Sequence, residues 1–318
     1  AKARESRGKA DIGRDYRTRH NDGMRSLLFA LCLLLFPPLA GAWNAAGHRL
    51  AATIAWQQLS PASREFVATA LARHPDHERW VTRARSEEAG AIFAEAATWP
   101  DDIRNDPRFF DDPRDTPTDL LPGFPEMARH KRWHYVDVDR HGKVVDGEAD
   151  RQIERLSGLL RSTRKKEQIS YALPWLLHLI ADIHQPLHVG HHDDEGGNAV
   201  EIENPFNKRL PFSSLHLYWD DLPGPPWLRG KRLEKNAQRL LDDHPPPTPG
   251  TVAQWRDESH ALLASAYPTA AGSLLPVITE DFNRQAYAIA NRRIVDAGYR
   301  LGWLLEANIG ARVSRETP

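Results

Sequence analysis

Cysteine is almost absent from the sequence: its 318 residues contain one, Cys32. A disulfide framework is therefore excluded, because a single thiol cannot form a bridge within the chain. The formal net charge is −1, so no overall basic field marks the chain as a nucleic-acid binder by charge alone. Long apolar runs are scarce too, and the one near the start is too short to span a bilayer comfortably.

That apolar run lies in residues 24–42, which begin with Met24 and Arg25 and end in Ala40-Gly41-Ala42. The order of charge, apolar core and small residues is typical of a secretory signal peptide, and a membrane anchor is the less favoured alternative. We expect residues 1–23 to be an unfolded upstream leader and 43–318 to be the mature domain. The protein would be secreted or periplasmic, with no membrane attachment after cleavage.

The rest of the chain shows helical rather than strand periodicity and no internal repeat. The pattern predicts a mainly α, single-domain multi-helix bundle with minor β structure. Residues 105–131 contain five prolines and predict a surface loop. Helices are expected at 49–59, 63–74, 86–98, 145–164, around the apolar run 171–181, at 214–220, 252–266 and 280–309, and short strands at 133–139 and 199–203.

The most informative stretch is His178-Leu-Ile-Ala-Asp182-Ile-His-Gln-Pro-Leu-His188, which continues an apolar helical run. His178 and Asp182 are four residues apart, so they share one face of a helix. Pro186 is expected to end or kink that helix before His188. Imidazoles and a carboxylate on a buried face need a partner, and a metal ion is one such partner. A core histidine bonded to an acid is the alternative for this stretch alone.

Further candidate ligands lie in ordered or apolar contexts. His216 and Asp220 repeat the four-residue spacing, and imidazole nitrogen with carboxylate oxygen is the usual zinc combination. Trp43 would contribute its α-amine and carbonyl after cleavage, since the amine has a pKa of about 7.7–8.0 and a cation can displace its proton. The candidate ligands are Trp43, His48, Asp101, His134, His178, Asp182, His188, His216 and Asp220.

Taken in order, the motifs are Trp-x4-His, Trp-Pro-Asp-x2-Arg, His-Tyr-Val-Asp, His-x3-Asp-x5-His, Gly-Gly-Asn and His-x3-Asp. This series resembles the trinuclear-zinc, single-strand-specific nucleases of the S-one/P-one type, with the plant bifunctional nucleases and bacterial relatives. The resemblance runs from Trp43 to about Ile309. It implies a helical fold of the zinc phospholipase C and nuclease type.

The resemblance also implies three zinc ions and a role for each motif. The three ligand sets would be Asp101, His134, His178 and Asp182; then Trp43, His48 and a bridging Asp182; then His188, His216 and Asp220. Arg104 matches the family's arginine that stabilises phosphoryl charge, beside the catalytic carboxylates Asp101 and Asp182. Tyr135, Asp137 and Asn198 match positions that bind substrate, with Tyr135 in place of the family's Phe as the base-stacking ring.

The chemistry expected of such a site is hydrolysis of phosphodiester bonds. Zinc lowers the pKa of bound water to about 7, so a hydroxide bridging two zincs could attack phosphorus and release 5′-phosphate products. Single-stranded DNA and RNA are the expected substrates, because a base must leave its stack to reach Tyr135. We also expect activity on 3′-mononucleotides and a monomeric protein.

Two other functions compete with this interpretation. A zinc phospholipase C-type phosphodiesterase has a similar fold, but its first Trp and His are farther apart than Trp43 and His48, and its last ligand is typically Glu. A helical zinc-binding protein without turnover would have no use for Arg104. Six histidines in polar stretches are expected to be solvated: His74, His77, His130, His141, His244 and His260. The basic run 229–235 is expected to be a solvated helix face, with guidance of a phosphate backbone as the less favoured alternative. Base preference, the DNA-to-RNA ratio and the pH optimum are not specified by the sequence.

Overall fold

The computed structural model describes residues 43–111, 115–269 and 275–316. The expected leader (1–23) and signal peptide (24–42) lie outside this part of the chain. Within it, no helix combines the length and the apolar character that crossing a bilayer requires.

The described residues are mainly helical, which confirms the predicted fold class. The four strands are three or four residues long and form two separate antiparallel pairs, β1–β2 and β3–β4. Short 3₁₀ helices at Ile103–Asn105, Lys131–His134, Pro186–Val189 and His192–Asp194 connect larger elements. The elements are α1 (Ala45–Gln58), α2 (Pro61–Leu71), α3 (His77–Ala84), α4 (Ala89–Ala96), α5 (Trp99–Asp102), β1 (Val136–Val138), β2 (Val144–Gly147), α6 (Ala149–Ser162), α7 (Lys166–Asp182), β3 (Glu201–Glu203), β4 (Phe212–Ser214), α8 (Leu215–Asp221), α9 (Gly230–Asp243), α10 (Val252–Ala261), α11 (Leu263–Ala266) and α12 (Glu280–Glu316).

Helix α7 lies at the centre of the bundle. Every residue from Ile169 to Asp182 is buried, and the helix packs against α1, α2, α5, α6 and α12. A helix that is apolar on all sides must be enclosed by others. The helix ends at Asp182, and Pro186 begins a 3₁₀ helix, as the sequence predicted. His178 and Asp182 are thereby fixed in the interior.

The long helix α12 packs closely along α1, which carries His48. Gly298 and Gly302 make this approach possible. A Cβ on Gly298 would lie 2.5 Å from Ile54 Cγ2, and one on Gly302 would lie 2.7 Å from Gln58 Cβ. Two residues without side chains, four positions apart, therefore form the surface on which α1 rests.

An aromatic cluster fills the space between α5, α7 and the 105–131 loop. Trp99 packs edge-on against Trp175 and stacks on Phe124. His74 belongs to this cluster: it is 3% exposed and contacts both Trp80 and Trp99. The expectation that His74 is solvated is therefore wrong, because its polar neighbours in sequence do not determine what packs on its ring.

Several element predictions also needed correction. Residues 144–147 form β2, which pairs with β1, so the helix expected at 145–164 begins at Ala149 instead. The helix expected at 86–98 is divided into α4 and α5, the helix expected at 252–266 is divided into α10 and α11, and α3 was not predicted. The segment 105–131 is irregular where it is described, as expected of a proline-rich loop.

Candidate metal centre

Four separate segments carry the first group of candidate ligands to one point. Helix α1 presents His48, α5 presents Asp101, the 3₁₀ helix Lys131–His134 presents its last residue, and α7 presents His178 and Asp182. All five except Asp101 are buried, and 26% of the Asp101 side chain is exposed. The site therefore has one face toward solvent.

The carboxylate of Asp182 lies among three imidazoles. His48 Nε2 is 3.4 Å from Asp182 Oδ1, while His134 Nδ1 and His178 Nε2 are each 3.2 Å from Oδ2. His134 Nδ1 and His178 Nε2 are 3.0 Å apart. Asp101 faces the same three rings at 3.7–3.9 Å. Ligand atoms that each lie about 2 Å from a shared metal ion are separated from one another by distances of this size.

A hydrogen bond of His178 Nδ1 determines which of the two ring nitrogens carries the proton. His178 Nδ1 lies 2.8 Å from the carbonyl oxygen of Ala97, which can only accept, so Nδ1 carries the proton. In the neutral ring Nε2 then carries a lone pair, directed at the carboxylate of Asp182. Two lone-pair atoms 3.2 Å apart repel unless a cation or proton lies between them.

A second group of three buried ligands repeats this arrangement. His216 Nδ1 donates to the carbonyl of Gly196 at 2.7 Å, and its Nε2 faces Asp220 Oδ1 at 3.7 Å. His188 Nδ1 donates to the carbonyl of His134 at 2.6 Å. His188, His216 and Asp220 each bring a ligand atom within 4.8 Å of the other two. The carbonyl partners again fix the tautomer in which Nε2 is the ligand.

Gln185 and Gly196 support the second group, and neither was predicted in this role. The Gln185 side-chain amide donates to Asp220 Oδ1 at 2.5 Å. Gly196 has a φ of 61°, and a Cβ there would lie 2.5 Å from the Leu187 carbonyl oxygen, so only glycine fits. A glutamine within the buried His178–His188 stretch was the available signal for Gln185.

Trp43 lies between the two groups. Its indole Nε1 donates to the carbonyl of Ala181 at 3.1 Å, one residue before Asp182. The amide of Asn44 donates to the carbonyl of Asp220 at 3.1 Å. Trp43 is thus held next to Asp182 through its side chain and next to Asp220 through the residue that follows it.

Burial dominates the electrostatics of the site. It lowers the pKa of His48 and His134 well below the usual value, and neighbouring imidazoles and Arg104 add to the shift. Burial would also lower the pKa of His178, but the carboxylates of Asp182 and Asp101 outweigh it and raise that pKa. Burial raises the pKa of Asp182 to about 6. The protons on such groups are ones that a divalent cation would replace.

Arg104 lies at the solvent side of the first group. Its Nε is 3.0 Å from Asp101 Oδ1, and 12% of its side chain is exposed. The ion pair orients the guanidinium beside the candidate ligands while leaving its remaining N–H groups able to donate. The position suits a group that binds a phosphoryl oxygen.

The three predicted substrate-binding residues lie beside the site. Tyr135 directly follows His134 and donates its hydroxyl to Asp146 at 3.2 Å, which leaves the ring half-buried. Burial raises the pKa of Asp137, whose carboxylate is 3.3 Å from His192 Nδ1. Asn198 donates its side-chain amide to the carbonyl of Glu195 at 2.8 Å. From the sequence, contact of His192 with substrate is the less favoured alternative to a mobile loop at 190–198.

The donor set fits divalent metal ions. His48 makes no hydrogen bond through either ring nitrogen within the described residues, although it is fully buried. Asp182 Oδ1 and His134 Nε2 are likewise buried without a hydrogen bond. Unsatisfied buried nitrogen and oxygen atoms are costly, and coordination removes the cost. Imidazole and carboxylate are the donors that zinc takes.

The fold and the site define a mainly helical protein built around buried groups of His and Asp side chains that could hold metal ions. The model of the family described as S1/P1 nuclease matches residues 43–309. The chain belongs to the S1/P1 nuclease family and is a hydrolytic nuclease.

Curated relatives agree with the family assignment. Endonuclease 1 of Arabidopsis thaliana is 26% identical over 302 residues, covering 88% of this chain and 91% of that protein. Endonuclease 4 of the same plant is 44% identical over 54 residues, 17% of each chain. Nuclease S1 of Aspergillus oryzae is 25% identical over 203 residues, covering 62% of this chain and 59% of its own length. These matches favour a nuclease over the phospholipase C-type alternative.

Proposed function

We propose that this nuclease is a zinc-dependent endonuclease that cleaves single-stranded DNA and RNA to 5′-phosphate products and also hydrolyses 3′-mononucleotides. The observation that carries the zinc dependence is the pairing of lone-pair nitrogens with carboxylates. His178 Nε2 faces Asp182 at 3.2 Å and His216 Nε2 faces Asp220 at 3.7 Å, while backbone carbonyls hold the proton on each Nδ1.

Three zinc ions would be held by nine residues. The sets are Asp101, His134, His178 and Asp182; Trp43, His48 and the shared Asp182; and His188, His216 and Asp220. Support comes from three groups of these side chains whose ligand atoms lie within 4.8 Å of one another. When bound, zinc lowers the pKa of a coordinated water to about 7 and so supplies a nucleophile near neutral pH.

The protein's own groups then have defined tasks. Arg104, oriented by Asp101, donates to a nonbridging phosphoryl oxygen and offsets the charge that develops there. Gln185 holds Asp220 in place by donating to its Oδ1. With metal bound, the buried histidines would be neutral and would hold their ligand nitrogens in fixed directions, which reduces reorganisation during the reaction.

Single-strand preference follows from the residues beside the site. A base stacked on Tyr135 and hydrogen-bonded at its edge by Asp137 or Asn198 must be unpaired and out of its stack. A duplex has to pay an unstacking cost of a few kcal/mol per flipped base before it reaches that position. Tyr135 is half-buried and its hydroxyl is held by Asp146, so the ring is pre-oriented.

Export is the second part of the proposal. Cleavage after Ala42 would place the protein in the periplasm or the medium and would create the amine of Trp43 as a metal ligand. The family match beginning at residue 43 supports this start of the mature chain. We propose that the mature protein acts as a monomer without membrane attachment.

The test compares one 20-nucleotide sequence as single-stranded DNA, as RNA and as a duplex, with end-group analysis of the products. We expect faster cleavage of both single strands than of the duplex, and 5′-phosphate ends. Chelation should abolish cleavage and zinc should restore it. Equal rates on duplex and single strand would contradict the base-splaying argument. Turnover of phosphatidylcholine but not of DNA would favour the phospholipase alternative.

A further inference from the structure

Trp227 is the most exposed large hydrophobic side chain among the described residues, at 67%. Isolated apolar side chains are common on protein surfaces, so exposure alone carries no conclusion. The setting of this indole is distinctive, because the turn that carries it is hydrogen-bonded to neighbours of two candidate metal ligands and is followed in sequence by basic residues.

The turn is fixed to residues next to two candidate ligands. Arg49, which follows His48, donates through Nη1 to the carbonyl of Pro226 at 2.8 Å. Asn44, which follows Trp43, donates to the carbonyl of Gly224 at 2.8 Å. The amide of Leu228 closes the turn on Pro225 at 2.9 Å, and its side chain is buried. The indole therefore projects from a rigid support rather than from a mobile loop.

Positive charge connects this turn with the solvent side of the site. Arg229 donates to the buried carboxylate of Glu95 at 2.6 Å, and Arg83 lies 3.7 Å from the same residue. Arg83 also pairs with Asp102, which directly follows Asp101. About 30% of each arginine side chain remains exposed. Arginines thus connect the neighbourhood of Asp101 with Arg229, two residues after Trp227 in the chain.

The next residues after the turn add charge. Lys231 and Arg232 are exposed at the start of α9, and neither has a carboxylate within 4.0 Å among the described residues. Cations on this surface outnumber the carboxylates that contact them. Such a surface attracts a polyanion, and an exposed aromatic ring on the adjoining turn suits one with planar, stackable units.

We propose that Trp227, with Arg229 and Arg83, forms a second nucleotide subsite that holds single-stranded nucleic acid while a neighbouring linkage is cleaved. An unpaired base stacks on the indole and the adjoining phosphates contact the arginines. Stacking is tolerant of base identity, because every base has a π face. This inference rests on the proposed function and extends it from one bond to a length of strand.

The second subsite is separate from the base position at Tyr135. Tyr135 precedes β1 and is held by Asp146, whereas Trp227 is anchored to α1 through Arg49. A mononucleotide has one base and can occupy one of these positions at a time. A polymer can occupy both, so Trp227 should matter for long substrates alone.

The test uses the zinc-loaded protein and two readouts. Binding is measured by the fluorescence anisotropy of a labelled, cleavage-resistant phosphorothioate oligothymidylate, and turnover on both a natural oligonucleotide and a 3′-mononucleotide. Trp227→Ala should weaken oligonucleotide binding about tenfold and raise KM with little change in kcat. Mononucleotide hydrolysis should be unchanged. Trp227→Phe should restore most of the binding, and Tyr287→Ala, which removes another exposed aromatic, should have no effect.

Several outcomes would overturn the inference. If Trp227→Ala binds and cleaves oligonucleotides as the parent does, Trp227 is not a subsite, while parental cleavage of single strands keeps the proposed function intact. If Trp227→Ala changes the oligomeric state but not binding, the indole serves contact with a second copy. If the parent itself neither binds nor cleaves single strands, the subsite and the proposed function fail together.

Discussion

The two ring nitrogens of His178 have separate tasks, and the whole centre depends on that separation. Nδ1 is held by the Ala97 carbonyl, and the ring stacks on His48 with centroids 3.8 Å apart. Two imidazoles stacked at this distance would repel each other strongly if both were protonated. Neutral rings whose ligand nitrogens face carboxylates are the arrangement that a divalent cation stabilises.

Arg104 separates a nuclease from a protein that merely stores metal. Arg104→Ala should lower kcat/KM on single-stranded DNA by about 10²–10³-fold, because a preoriented donor to the developing charge is lost. Zinc content should stay unchanged, since Arg104 is not a ligand. Steady-state kinetics and metal analysis on the same preparation check both statements.

Arg104→Lys is the matched control for the loss of charge. It keeps the cation but loses the fork of donors, so an intermediate rate is expected. A variant lacking the guanidinium that cleaves as fast as the parent would rule out this mechanism even if the metal site is correct.

His74 predicts a pH dependence of stability. Burial lowers its pKa from 6.5 to about 3, and its Nδ1 accepts a hydrogen bond from the Asp76 amide at 3.1 Å. The unfolded chain therefore binds more protons between these values. The contribution of neutral His74 to the free energy of unfolding is therefore complete above pH 6.5. It is lost as the pH falls toward 3, by up to about 1.4 kcal/mol per pH unit.

His74→Asn removes the titrating group but keeps an acceptor for the Asp76 amide. Its free energy of unfolding should fall less steeply than that of the parent between pH 6.5 and 4. Urea titrations of both proteins in the presence of a chelator remove the contribution of metal binding. Parallel curves would show that His74 does not titrate in this window.

At the residue scale the sequence predicted eight His and Asp side chains that lie together in three groups, and missed the residues that support them. The spacing of His178 and Asp182, and of His216 and Asp220, is visible because a helix places such pairs on one face. The Ala97 carbonyl and the Gln185 amide act through contacts across the fold. Their roles depend on tertiary structure, which spacing along one segment does not encode.

Among the elements, the pairing of α1 with α12 matters most for the site, because α1 carries His48. Gly298 lets the two helices approach closely, with Ile54 where a side chain would be. The contact is a property of two helices together. Neither helix alone indicates which face must be free of side chains.

Gly298→Ala should therefore destabilise the protein by about 1–3 kcal/mol, the usual cost of overpacking, despite the higher helix propensity of alanine. Urea unfolding measures the change. Gly158→Ala in α6 is the control, because a Cβ there meets no atom within 4 Å. The free energy of unfolding of that variant should increase by about 0.5–1 kcal/mol. Equal effects of the two substitutions would contradict the packing argument.

Long apolar helices were predictable and short elements were not. The run around α7 and the stripe on α12 extend over many turns, so their periodicity is clear. The three-residue β1 and four-residue β2 are shorter than the patterns that reveal strands. Helix α3 is eight residues long and buries one of them, Trp80, so its apolar pattern covers little more than two turns.

Across the whole molecule, the centre joins distant parts of the chain. Asn44 and Asp221, separated by 177 residues, share a hydrogen bond of 2.9 Å beside it. The unfolded chain cannot present this set of ligands, so metal bound here stabilises the folded state by mass action. The order of motifs predicted which residues would meet, while the arginines around Trp227 come together only in three dimensions.

Trp43 is the residue at which the mature chain is proposed to begin. A protein starting at Trp43 offers a free amine to the metal, whereas one that retains residues 1–42 has a peptide nitrogen there, a poor ligand. The protein that retains residues 1–42 should hold less zinc and cleave single-stranded DNA more slowly. Removal of residues 1–42 would then activate the enzyme.

Zinc content by mass spectrometry, with single-stranded DNA hydrolysis measured on the same two preparations, tests this most directly. The predicted result is three zinc ions per chain and full activity in the protein that starts at Trp43. The protein that retains residues 1–42 should have less zinc and less activity. Equal zinc and equal activity in both preparations would remove the amine of Trp43 from the centre. Full activity in a preparation without zinc would contradict the proposed function itself.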